Sequence, residues 1–110
     1  MLVEERLLFD NEAIRDTNSH DSAITDIRWG CTKSMIFENS LNQEVTVNIY
    51  GSRNADMTNS FLRASFPIAS GTNTVQDCDC YFPYLQIKAS CASSPSSGVF
   101  TVAIYTLGAA

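Results

Sequence analysis

Val45-Thr46-Val47-Asn48-Ile49-Tyr50-Gly51-Ser52 decides the fold class. β-branched apolar residues alternate with polar or amphipathic ones, and Gly51-Ser52 ends the run. Successive strand side chains point to opposite faces, so this alternation marks a half-buried strand. Two later stretches repeat it. Leu85, Ile87, Ala89 and Cys91 alternate with Gln86, Lys88 and Ser90. Phe100, Val102 and Ile104 alternate with Thr101, Ala103 and Tyr105. Weaker runs cover 33–38, 62–68 and 72–77. Turn signals fall between them: Asn39-Ser40, Pro67 then Ser70-Gly71, Pro83, and the serine loop from Ser93 to Gly98. About six short strands at this spacing predict an all-β chain, a single antiparallel β-sandwich that is jelly-roll-like. The expected core is Val45, Val47, Ile49, Leu85, Ile87, Val102 and Ile104. Residues 84–91 and 99–106 are expected to be an antiparallel hairpin or near neighbours, joined by a solvated serine loop.

Composition agrees. The chain has 110 residues, 45% apolar and 17% charged, which suits one globular domain and excludes a disordered chain. No run approaches the ~20 apolar residues of a membrane-spanning helix. Met1-Leu2-Val3-Glu4-Glu5-Arg6 lacks the basic flank and apolar run of a secretion signal, so free thiols in a reducing cytoplasm are expected.

Charge is uneven. Residues 1–26 hold seven acids against two bases, a balance of −5, which equals the net charge of the whole chain. The five acids and five bases of residues 27–110 cancel. Nucleic acid and anionic membranes are bound by clustered Lys and Arg, so neither is an expected partner. The division drawn from this is an extended acidic N-terminal arm, 1–26, and a sandwich domain, 27–110. The arm has two readings, a solvated leader or a segment that docks on a partner through Leu7, Leu8, Phe9 and Ile14. Residues 2–9 fit one helical turn or an edge strand equally well. Residues 1–22 are expected to be mobile in the isolated protein and to order only against a neighbouring subunit or a partner surface.

Catalytic and metal chemistry find little support. The cysteines are Cys31, Cys78, Cys80 and Cys91. Only Cys78 and Cys80 lie close, and their spacing is not that of a zinc pair. They are also poorly placed to bond each other. Disulfides to Cys31 or Cys91 stay open, while Cys91 on an alternating apolar face reads as a small core residue. Asp77 and Asp79 lack the further oxygen ligands of a calcium loop. His20, the single histidine, has Ser19, Asp21 and Ser22 beside it, but triad members meet in space rather than in sequence. No nucleophile elbow is present. The expectation is no enzyme, no cofactor and no metal. Tyr81-Phe82-Pro83-Tyr84 packs three rings into four residues. Core packing at a strand entry is preferred for them. Interface anchoring by Tyr81, Phe82 and Tyr84 comes second, and stacking on sugars third.

Three stretches carry a resemblance. They are Phe37-Glu38-Asn39-Ser40-Leu41-Asn42-Gln43-Glu44 running into the strand at Val45, Tyr81-Phe82-Pro83-Tyr84-Leu85-Gln86-Ile87-Lys88-Ala89, and Ala92-Ser93-Ser94-Pro95-Ser96-Ser97-Gly98-Val99-Phe100-Thr101-Val102. In order and spacing, this chain resembles small virion proteins of tailed phages, of the capsid decoration (cement) type. The resemblance spans about residues 35–107 and includes neither the acidic segment nor the cysteines. It implies a structural protein on the outer capsid surface, assembled in the host bacterial cytoplasm. The implied partners are the major capsid protein and copies of itself, with a trimer as one form. It implies no cofactor. A tail, adaptor or fibre-base position and a carbohydrate-binding module are the alternatives.

Overall fold

The computed structural model describes residues 2–28, 32–78 and 82–108. Among them there is no helix. The strands are β1 (Leu2–Glu12), β2 (His20–Asp21), β3 (Thr25–Asp26), β4 (Thr32–Asn39), β5 (Val45–Ser52), β6 (Phe61–Ile68), β7 (Thr72–Cys78), β8 (Tyr84–Ser90) and β9 (Phe100–Gly108). Sheet A runs β1-β9-β4-β7. Sheet B runs β2-β8-β5-β6, and β3 also pairs with β8. Every pairing is antiparallel. Because β2 and β3 are two pieces of one edge strand, each sheet has four strand positions. The chain changes sheet at each connection except β2–β3 and β5–β6. That is jelly-roll connectivity, with antiparallel sheets packed as a sandwich.

The inner faces follow the period-two reading. All seven expected core residues are at most 3% exposed. Met35, Phe37 and Phe100 fill the same core from sheet A, and Leu41 and Ile68 close one end. Phe37 meets Phe66 edge-on, with ring centroids 5.3 Å apart.

The N-terminal segment departs from expectation. The described residues 2–26 are not an arm outside the sandwich, for their strands pair into both sheets, and no boundary falls at 26/27. Leu2–Glu12 is β1, paired with β9 from Leu2↔Gly108 to Glu12↔Phe100. Leu8, Phe9, Ile14 and Ile27 lie in one core with the later strands. Phe9 stands 5.7 Å from Phe100, centroid to centroid. The reason is the register. It shifts between Leu7 and Phe9 and again between Phe9 and Glu12, so Leu8 and Phe9 are both buried although adjacent. Such bulges break the alternation by which a strand is recognised. Arg6 Nη1 donates to the Asp26 carbonyl at 3.0 Å, tying β1 to the edge of sheet B.

The other edge strand breaks at residues 22–24, and Ser22 stitches the gap. Its buried hydroxyl accepts from the Ile87 amide at 2.9 Å, while its own amide donates to the Ile87 carbonyl at 2.8 Å.

The expected β8–β9 hairpin is also corrected. β8 belongs to sheet B and β9 to sheet A, so the serine loop crosses between sheets. The two apolar faces meet across the core instead of side by side. Nor is that loop merely solvated. The Val99 amide donates to Ser40 Oγ at 2.9 Å, and the Ser96 amide to Asn42 Oδ1 at 2.9 Å. Gly98 adopts φ +87° against Ser40, where a Cβ would overlap the Ser40 carbonyl. Beside it, buried Asn39 donates from Nδ2 to the carbonyls of Gln43 and Ile68, each at 3.1 Å. Asn39 Oδ1 accepts from the Leu41 amide at 3.0 Å, so one side chain pins two loops at this end of the sandwich.

Candidate interaction faces

Polar side chains that suggested chemistry are used structurally. His20 Nε2 lies 2.7 Å from Asp16 Oδ1, and Nδ1 lies 3.8 Å from Glu12 Oε1. Its hydrogen-bond partner is therefore Asp16, not its neighbour Asp21, whose carboxylate is 3.8 Å from Lys88 Nζ. The bond from His20 holds the Asp16 carboxyl below its usual range. Ser22 Oγ is committed to backbone groups. Cys91 is a free, buried thiol whose pKa is pushed up by burial and then by Asp16, which suits the core residue read from sequence. Among the described residues, no three His, Cys, Asp or Glu side chains converge as metal ligands. Trp29, Cys31, Asp79, Cys80 and Tyr81 lie outside the described residues, as does the side chain of Cys78.

The aromatic motif divides. Phe82 is half-buried, packed on the core and edge-on to Phe61 at 5.3 Å. It occupies the space where Gly51 has no side chain; a Cβ there would come within 2.6 Å of its ring. Sequence reading took Gly51 only as the end of a strand, yet it sits within β5 and admits this ring. Tyr84 points outward from sheet B, with the Arg28 guanidinium 5.2 Å from its ring centre. Arg28 also makes two hydrogen bonds to Asp26, at 3.0 and 2.6 Å. Those bonds, with one from the Arg28 amide, hold the Asp26 carboxyl at about 2. Of the four apolar residues assigned to a docking arm, Leu8, Phe9 and Ile14 face the chain's own core. Only Leu7 is exposed, at 45%.

The outer faces of the sheets are what remains available. On sheet A the register places Leu7, Ala103, Ile36 and Val75 in one row across all four strands. The row is apolar from edge to edge. Glu5, Tyr105, Ser34 and Asp77 form the row on one side, with the Tyr105 hydroxyl hydrogen-bonded to Glu5. That bond pushes the Tyr105 pKa up. Thr101, Glu38 and Asn73 form the row on the other side. The outer face of sheet B is different in kind. Gln86, Tyr50 and Leu62 share one row, and Lys88, Asn48 and Ser65 the next. Lys88 Nζ lies 5.5 Å from the centre of the Tyr50 ring. Sequence reasoning missed the sheet A stripe. Its members sit on four strands, and only the register brings them together.

No protein-family model and no curated protein matches the chain. Solved structures do resemble it. The PBSX exported protein XepA superposes with a TM-score of 0.71 at 20% identity, over 97% of this chain and 37% of that one. The chain thus spans little more than a third of XepA. A protein of the Bacillus endospore appendages, which form disulfide-linked pili, gives 0.62 at 10% identity, covering 98% of this chain and 88% of that one. PirA gives 0.50 at 13% identity, covering 94% and 91%. At these identities the likeness is one of fold.

Proposed function

We propose that this chain is a non-enzymatic structural protein of a phage-type virion, and within the particle a capsid decoration protein. It sits on the outer capsid surface, bound to the major capsid protein and to copies of itself. It uses no cofactor and contacts neither nucleic acid nor membrane. The observation that carries the reading is the use made of the polar side chains. Asn39, Ser22, Ser40 and His20 are spent on holding loops and edge strands of a jelly roll, so the molecule is built for rigidity and its outer sheet faces are left for contact. The sequence resemblance to decoration proteins supports it. So does the shared fold of the PBSX exported protein XepA and of a protein of endospore pili. A cement works by burying surface across joints between shell subunits. Many weak contacts suffice when copies repeat over a lattice.

The test is co-sedimentation with purified expanded capsids, beside a glycan array, followed by electron microscopy of the intact particle. Saturable attachment to capsids and density on the outer shell are expected. Density at the tail or adaptor, or binding only to glycans, would overturn the reading.

A further inference from the structure

Among the described residues no strand packs on the outer face of sheet A, and that face is sharply patterned. Leu7 and Val75 end its apolar row, with Val75 64% exposed. The flanking rows carry Glu5, Glu38 and Asp77 and no base. Arg6 and Arg15 are drawn away to the carbonyls of Asp26 and Gly98, and Lys33 shares its row with buried Thr106 on the inner side. Two such faces laid together would oppose six carboxylates with no counter-charge, which disfavours a symmetric contact. Sheet B carries bases on its outer side: Lys88 and Arg28, each beside an acid, Asp21 and Asp26, and exposed Arg63 on its edge strand β6. That face also presents Leu62, 53% exposed, beside Tyr50.

We infer that the outer face of sheet A takes the outer face of sheet B of a second copy, so that sandwiches stack head to tail. The contact is heterologous: each copy keeps one face of each kind free, so the stack grows without closing. Sheets pack about 10 Å apart, so each added copy lengthens the column by roughly 20 Å. Four strands of seven or eight residues cover roughly 500 Å² of face. A stable interface needs about 800 Å² per partner, so one contact is weak and shows only at high protein concentration. The inference does not rest on a virion role, and its test needs no particle.

Sedimentation of the isolated chain from about 10 µM to about 1 mM should show growing species, dispersed by high salt. Two variants block one face each. Val75→Lys ends the apolar stripe and sets a base against the bases of sheet B. Leu62→Asp sets a carboxylate against the acids of sheet A. Each alone should associate at least about tenfold more weakly than the parent chain. Their mixture should form a one-to-one dimer and stop there, because one open face of each kind remains. Glu38→Lys keeps the stripe and should weaken stacking in low salt only. Thermal melts keep a folding defect from passing for a blocked face. A parent chain that stays monomeric throughout would overturn the inference. So would Leu62→Asp associating like the parent, or a mixture no more associated than its parts.

Discussion

Two strands flank sheet A, and they are not equivalent. β1 delivers Leu8 and Phe9 into the core and leads on to Ile14. No described side chain of β7 is buried; its Val75 faces solvent. Sequence pattern ranked them the other way. It read residues 72–77 as part of the sandwich and residues 1–26 as an arm outside it. Alternation tells which residues share a face. It does not tell how much that face buries when the strand lies at an edge. β1 holds its place through two consecutive apolar residues at a bulge, and β7 through its ladder with β4.

The contrast can be broken most directly by deletion. Removing residues 1–12 takes away an entire edge strand and two core side chains. The expected outcome is loss of cooperative unfolding and of the β-sheet circular dichroism signal. A truncated chain that melts like the parent would restore the arm. Next in size, Phe9→Ala should destabilise by about 3–5 kcal/mol in urea denaturation, as a buried ring lost from a packed site. The acid limb comes third. Asp26 has a folded pKa of about 2, set chiefly by its bonds to Arg28 and below the unfolded value near 3.9. Its contribution is present above about pH 4 and is lost as pH falls towards 2. The pair is exposed, so Asp26→Asn should cost under ~1 kcal/mol at pH 7 and flatten the stability profile between those limits. The smallest effect belongs to β7. Val75→Thr should stay within about 0.5 kcal/mol of the parent, and a larger loss would show that β7 is buried in solution.

What sequence made legible, and what it hid, follows the same physics. β5, β8 and β9 are central strands whose buried faces alternate without interruption, so Val47, Ile87 and Val102 stood out. β2 and β3 are two residues each, separated by a break that Ser22 bridges, and no periodicity survives at that length. The period also cannot assign strands to sheets, which is why β8 and β9 read as a hairpin. For the surface, only Leu7 of the proposed arm contacts is exposed, and Tyr84 points outward half-buried on sheet B. The sheet A stripe to which Leu7 belongs depends on pairings between residues up to about a hundred positions apart, which composition does not encode.

The pairing of β1 with β9 has a temporal side. Of the described strands, β1 is made before all the others and its sheet partner, β9, after them. At roughly 5–20 residues per second, Phe9 waits on the order of 5–20 s for Val102 to be made. Through that interval, Leu7-Leu8-Phe9 is an unpaired apolar segment able to join a neighbouring nascent chain. Glu4, Glu5, Asp10 and Glu12, against the single base Arg6, give its flanks a net negative charge in every copy. Acidity of this kind is what gatekeeper residues supply, repelling the same segment of another newborn copy until β9 is made and closes the sheet.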